Sequence, residues 1–125
     1  MRTHMSDFTE IERFILYWSN DDWVFGPPVS SGFESDFSAD EAATRTNEAY
    51  QNLVRLGLID IGHVGGDAGP GFHPWPGGPD THIARLQELA THPEPEERLG
   101  FWGRATPEGE KIAATIPDEW FRDDD

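Results

Sequence analysis

The stretch from Ser38 to Gly57 restricts the fold more than any other part of this sequence. Small and apolar residues recur along it at spacings of 4, 3, 4 and 3 residues, which places them on one face of an α-helix. These residues are Ala42, Thr46, Ala49, Leu53 and Leu56. Ser38 and Glu41 have the spacing of a capping box, and Gly57 stands where a glycine of positive φ ends a helix. The pattern predicts an amphipathic helix over 38–56 that stops at Gly57.

Two further helices are predicted, one near each end of the chain. Over 8–19 the apolar residues recur at helical spacing, and Thr9 with Glu12 forms a second capping box. Near the C-terminus, Thr106 followed by proline is the pattern of an N-cap and the first residue of a helix. Residues 23–37, rich in proline, glycine, serine and aromatic side chains, predict an ordered loop or a short strand.

Two strands are predicted downstream of the helix over 38–56. Residues 58–64 (LIDIGHV) place isoleucines on one face, and residues 99–105 (LGFWGRA) supply an aromatic-rich pairing strand. The 34 residues between them are too many for a hairpin turn. We expect a Gly/Pro loop over 65–80 and then a short helix over 81–90 with Asp80 as its N-cap.

The order of these elements resembles the winged-helix fold. The residues that carry the resemblance are 52–59 (NLVRLGLI), a helix that runs into the wing, and 104–113 (RATPEGEKIA), a return strand followed by a closing helix. The stretch 71–80 (GFHPWPGGPD), followed by a short helix, also looks like a group of small, uncharacterised actinobacterial proteins with an enlarged wing. The resemblance implies an α+β fold with a winged-helix-like core of three helices and a two- or three-stranded sheet.

The whole chain, 1–125, is expected to form one such domain, because no linker separates two units. Residues 64–98 would form the insert in the wing, made of a loop and a short helix. The ends, 1–5 and 121–125, are expected to be disordered, as chain termini often are.

Charge is the strongest compositional signal. Acidic residues outnumber basic ones by 24 to 9, the net charge is −15, and Lys111 is the single base that is not arginine. Binding to duplex DNA gains from neutralising phosphates with cations, so this balance disfavours DNA. Three explanations of the acidity stay open: solubility or adaptation to high salt, a surface that steers a basic protein partner, and catalytic or metal-binding carboxylates.

Several classes of protein are excluded by what the sequence lacks. Without cysteine there is no disulfide framework, thiolate zinc site or cysteine nucleophile. No apolar run approaches the roughly 18 residues that span a bilayer, and no signal-peptide pattern opens the chain. We therefore expect a cytoplasmic protein that does not associate with membranes.

No catalytic or metal site is predicted. His63, His73, His82 and His92 lie in or beside the insert, but their spacings of nine or ten residues do not match the close pairs of zinc ligands. Adjacent carboxylates are explained by helix caps and solvated loops, and neither a nucleophile elbow nor a phosphate loop is present. We expect no cofactor and no enzymatic activity.

The residues expected to form a binding surface are mostly acidic or aromatic. Acids steer a basic partner, and aromatic side chains held among prolines and glycines form rigid anchors. For Trp75, packing in the core and anchoring a partner both remain open. The predicted surface consists of Asp36, Asp40, Glu41, Asp67, Phe72, His73, Trp75 and Asp80.

These features predict a non-enzymatic, acidic protein-binding module. Its most concrete form is an immunity or antitoxin-type protein that neutralises a basic toxin such as a nuclease. The alternative is a winged-helix transcriptional regulator, for which Arg45, Arg55 and Arg104 would have to form one patch on DNA.

Overall fold

Local sequence signals predict most of the helices and strands of this chain. The computed structural model describes residues 8–19, 23–25 and 37–116, so the ends expected to be disordered, 1–5 and 121–125, lie outside it. Within the described ranges the chain is α+β, with four helices and one antiparallel sheet of four strands. None of these helices is long and apolar enough to cross a membrane. The elements in chain order are α1 (Glu10–Ser19), β1 (Val24–Phe25), α2 (Ala39–Arg55), β2 (Ile59–Val64), β3 (Phe72–Pro74), α3 (Pro79–Leu89), β4 (Trp102–Ala105) and α4 (Pro107–Ala113).

The predicted capping residues begin α1 and α2. At α1, the Thr9 N–H donates to Oε1 of Glu12 and the Glu12 N–H donates to Oγ1 of Thr9, at 2.8 and 3.1 Å. This exchange confirms the capping box. At α2, the Glu41 N–H donates to Oγ of Ser38 at 3.1 Å. The predicted helix stop is also confirmed, since Gly57 has a φ of 76° just beyond α2.

The sheet is wider than the sequence predicts. Its strand order is β1-β4-β2-β3, and every pair is antiparallel. The pairing of the two predicted strands is confirmed, with Ile59 opposite Ala105 and Gly62 opposite Trp102. The prediction of a loop over 65–80 is wrong in part, because β3 lies within it and pairs with β2. Three residues are too few to show an alternating pattern, and the edge of β2 supplies the hydrogen bonds that make them a strand.

The insert is docked on the rest of the domain. Its helix α3 packs along α2, where Leu86 is fully buried. The Asn47 side-chain amide fixes this contact by donating to the carbonyl oxygens of Leu86 and Arg98, at 3.1 and 2.9 Å. The predicted cap of α3 is wrong: Gly78 is the N-cap, and Asp80 lies in the first turn. The insert therefore contributes one helix, α3, and one strand, β3, to the domain.

A tyrosine lies at the centre of the hydrophobic core. Tyr50 is fully buried, and its ring meets Phe101 edge-on at a centroid distance of 4.8 Å. A Cβ on Gly103 would lie 2.9 Å from this ring, so the glycine makes room for it. Among the described residues, the Tyr50 hydroxyl has no hydrogen-bond partner. Burial raises the pKa of this phenol above its usual value of about 10, because the charged form would lose its hydration.

Replacing Tyr50 by phenylalanine is expected to raise the free energy of unfolding by about 1 kcal/mol at pH 7, because the ring stays and an unpaired buried hydroxyl is removed. The gain should grow above about pH 10, where the unfolded wild type loses a proton that its folded state retains. There the wild type loses about 1.4 kcal/mol per pH unit relative to the variant. Urea denaturation at pH 7 and pH 10.5 measures both effects. If Tyr50→Phe is less stable than the wild type at both pH values, the Tyr50 hydroxyl has a hydrogen-bond partner in the folded protein.

Candidate functional site

Alternation along the strands divides the sheet into a buried face and a solvent face. In β4, Gly103 and Ala105 are buried, whereas Trp102 and Arg104 are partly exposed. In β1, Val24 is buried and the residue that follows it is exposed. Successive side chains of a strand point to opposite faces, so the core lies against one face and the aromatic residues of β1 and β4 point away from it.

The solvent face carries two pairs of aromatic rings. Phe25 stacks on Trp102, with the ring centroids 4.8 Å apart and the planes at 28°. Trp23 lies 6.2 Å from Phe72, which belongs to β3. Trp23 and Phe25 are 37% and 36% exposed, so these rings are not absorbed by the core. Exposed aromatic rings grouped on one face are typical of interaction sites.

One ion pair lies beside these rings. The guanidinium of Arg104 covers the ring of Phe72 at 4.4 Å from its centroid, and its Nη2 is 3.4 Å from Oδ2 of Asp60. Both charged side chains remain 41% exposed. We call the rings and this ion pair together the aromatic sheet face. It consists of Trp23, Phe25, Asp60, Phe72, Trp102 and Arg104.

Acidic side chains cover much of the domain surface. In the described part of the chain, eleven carboxylate side chains are exposed, against four cationic ones. The exposed acids are Glu10, Asp40, Glu41, Glu48, Asp67, Asp80, Glu88, Glu94, Glu97, Glu108 and Glu110. The exposed cations are Arg45, Arg55, Arg85 and Lys111. Such an imbalance gives a negative potential that attracts cationic surfaces and repels polyanions.

Four of the residues predicted to bind a partner lie within the segment 67–80 and keep part of their surface exposed. Asp67 is exposed in the 3-10 turn between the two strands. Phe72 belongs to the aromatic sheet face, and Nε2 of the half-buried His73 lies 2.9 Å from the carbonyl oxygen of Gly69. Asp80 is exposed in the first turn of α3. The hairpin thus presents both an aromatic and an acidic group to the solvent.

Trp75 belongs to the core, which is one of the two roles that its sequence context leaves open. Only 4% of it is exposed, and its ring meets Phe101 at a centroid distance of 6.0 Å. Its indole N–H donates to Nε2 of His63 at 3.0 Å, and the guanidinium of Arg85 covers the ring at 4.1 Å. Trp75 therefore affects the protein surface indirectly, because it fixes the hairpin of β2 and β3 against the core.

The predicted acids of α2 lie at the start of that helix, and Asp36 lies outside the described residues. Oδ1 of Asp40 is 2.7 Å from Nη1 of the buried Arg98, while the Asp40 side chain stays 70% exposed. Glu41 is 3.8 Å from Arg45, its neighbour one turn along the helix. Because Arg98 is the last residue of the insert, its ion pair joins Asp40 of α2 to the end of the insert.

A cleft of about 470 Å³ separates the first turn of α1 from α2. Arg45, Asn52 and Arg55 line it from α2, and Glu12 lines it from α1. The Asn52 side-chain amide donates to Oε2 of Glu12 at 2.7 Å. Arg104 is not among the residues that line the cleft, since it lies on the aromatic sheet face. The three arginines that a DNA-binding patch would need are therefore divided between two sites.

Most of the aromatic sheet face is not predicted by the sequence. Phe72 is among the predicted binding residues, whereas Arg104 is predicted only as a DNA contact of the alternative function. The alternation in 102–105 (WGRA) is a usable signal, because it separates a large aromatic and a charged residue from two small ones. The proximity of Trp23 to Phe72 has no signal in the sequence, because β1 and β3 are the two edges of the sheet and only the tertiary structure brings these rings together.

Comparisons with known proteins do not assign this chain to a family. No protein-family model, no curated protein and no solved structure matches it. Within residues 8–19, 23–25 and 37–116, no three His, Asp or Glu side chains are grouped as metal ligands would be. The candidate site is therefore defined by its own geometry and charge.

Proposed function

We propose that this chain is a non-enzymatic, acidic protein-binding module whose partner is a basic protein. Its most concrete form is an immunity or antitoxin-type protein that neutralises a basic toxin such as a nuclease. The observation that carries the proposal is the aromatic sheet face, with Trp23 and Phe25 more than a third exposed in a chain of net charge −15. Rings already stacked on one another lose little freedom on binding, and the acids accelerate encounter with a cationic surface.

The contacts of α2 favour a protein over duplex DNA as the partner. A helix that reads bases needs amide and guanidinium side chains free to reach base edges. Here Asn47 is buried and bonded to the insert, and Asn52 is bonded to Glu12. Arg45 and Arg55 share their cleft with glutamates, which would repel phosphates.

The winged-helix-like core is part of this proposal. The elements α1, α2, β2, β4 and α4 follow one another in the order that the resemblance implies. The segment with β3 and α3 would then be the enlargement of the wing. In this arrangement the wing and the solvent face of the sheet would together bind the partner, whereas the helices would form the scaffold.

Co-expression with the products of the two genes that flank its own tests the proposal. We expect one of them to carry a basic domain that arrests growth when expressed alone, and growth to return when this chain is present. Calorimetry with the purified pair would then detect direct binding. The proposal fails if neither product binds and a mobility-shift assay with genomic fragments gives a Kd tighter than about 10 µM at physiological salt, since acidic proteins should not reach it.

Exchanging Trp102 or Phe25 for serine is expected to weaken binding of that partner by about 2 kcal/mol, roughly 30-fold, the scale of a buried aromatic hot spot. Trp18, which is 47% exposed on α1, supplies the matched control. Trp18→Ser should leave the affinity within about threefold of the wild type. Thermal unfolding of all three variants checks that they are folded. Equal losses for Trp18→Ser and Trp102→Ser would place the interface elsewhere.

A further inference from the structure

Arg104 is the cation of the aromatic sheet face, and it is held weakly. Among the residues that the structure describes, it makes one polar contact with a side chain, the 3.4 Å approach to Asp60. Its guanidinium also lies over the ring of Phe72, and 41% of the side chain remains exposed. Exposed ion pairs of this length contribute little to stability, in the range of about 0–1 kcal/mol.

Arg98 shows how this chain holds an arginine that has a structural role. Its Nε donates to the carbonyl oxygen of His92 at 2.6 Å, and its Nη1 is 2.7 Å from Oδ1 of Asp40. Only 11% of the Arg98 side chain is exposed, compared with 41% for Arg104. Little therefore opposes movement of the Arg104 guanidinium away from its present neighbours.

The groups around Arg104 are suited to bind the guanidinium group of any arginine, and not only that of Arg104. The Phe72 ring offers its negative face, and Asp60 offers a carboxylate beside it. Trp23 is packed next to the Phe72 ring and extends the aromatic surface beyond the area that Arg104 covers. The net charge of −15 draws cations to this surface from outside.

We propose that Phe72 and Asp60 form a binding site for a guanidinium group, that Arg104 occupies it in the free protein, and that an arginine of the partner displaces Arg104. The site selects arginine over lysine, because a planar guanidinium stacks on a ring while it pairs with a carboxylate. The identity of the partner rests on the function proposed above. The site itself does not, because it can be tested with a peptide.

The test compares two tripeptides of equal charge, acetyl-Gly-Arg-Gly-amide and acetyl-Gly-Lys-Gly-amide. Each is titrated into ¹⁵N-labelled protein at low salt while the indole N–H signals are followed by NMR. Arg104→Thr empties the site and keeps a good strand former. Lys111→Gln is the matched control, because Lys111 also pairs with an exposed carboxylate, that of Glu108 at 3.6 Å, but has no aromatic ring contact among those found in the described residues.

We expect Arg104→Thr to bind the arginine peptide about fivefold tighter than the wild type, because removing an internal occupant raises the available fraction of the site. The Trp23 signal should shift and the Trp18 signal should not. Lys111→Gln should bind as the wild type does, and adding Asp60→Asn to Arg104→Thr should abolish the gain.

Equal gains for Arg104→Thr and Lys111→Gln would overturn the proposal, because the effect would then be one of net charge. Equal binding of both peptides, or no gain at all, would overturn it too. These results are independent of the co-expression experiment. If the arginine peptide binds selectively but neither flanking gene encodes a toxic basic protein, the guanidinium site is retained and the proposed function is rejected. If growth is rescued but the two peptides bind equally, the function is retained and the guanidinium site is rejected.

Discussion

Replacing Gly109 by alanine is expected to lower the free energy of unfolding by about 3 kcal/mol, the upper range for overpacking in a core. Gly109 is a buried residue of α4, and a Cβ there would overlap the carbonyl oxygen of Leu58. That oxygen cannot move freely, because it accepts the Thr106 N–H at 3.0 Å. The Thr106 hydroxyl also donates to the carbonyl oxygen of Gly57 at 2.7 Å, so α4 is fixed at close range to the end of α2.

Whether Gly109→Ala destabilises or stabilises the protein distinguishes the steric effect of the contact with Leu58 from the effect of helix propensity. In an exposed helix, exchanging glycine for alanine would stabilise by about 1 kcal/mol. Gly78→Ala is the control, because Gly78 has a negative φ of −99° and a Cβ added there would meet nothing within 4 Å. Urea denaturation should show a loss of at most about 1 kcal/mol for Gly78→Ala, because alanine is a poorer N-cap than glycine but meets no other atom there. A stabilised Gly109→Ala protein would show that α4 is not packed against Leu58.

Arg98→Leu is expected to cost about 3 kcal/mol of stability, because the variant loses a buried charged donor that makes several hydrogen bonds. The buried guanidinium bonds the carbonyl oxygens of His92 and Pro93 and, across the fold, the carboxylate of Asp40. Leucine fills the space but leaves two carbonyl oxygens at the end of the insert without a donor. The insert should therefore loosen first, and hydrogen exchange of α3 should become faster.

Asp40→Asn is the control for the ion pair in this network. Because the Asp40 side chain is 70% exposed, its pairing with Arg98 is screened by water, and the substitution should cost less than about 1 kcal/mol. Chemical denaturation of the two variants compares these values directly. Similar losses for Arg98→Leu and Asp40→Asn would mean that the ion pair, rather than the bonds to the backbone, holds the insert.

The helices of this protein are largely encoded by local signals. Capping by Thr9 and Ser38 and the positive φ of Gly57 depend on residues within a few positions of one another, so they can be read from the sequence. The pairing of β2 with β4 is also predictable, because two β-prone segments flank the insert. The predicted cap of α3 is wrong, since both Gly78 and Asp80 fit the start of that helix and only the backbone path selects the glycine.

The acidity and the absence of cysteine are properties of the sequence alone, and the acidity is the ground on which we propose a cationic partner. The surface that this partner would meet is decided by tertiary structure. Strand β3 forms because β2 offers it an unpaired edge, and the placement of β4 between β1 and β2 determines which aromatic residues share the solvent face. Whether Trp75 is core or surface cannot be decided from its neighbours in the chain. Its burial follows from contacts with Phe101, 26 positions away, and with α3, which pack only once the insert has docked.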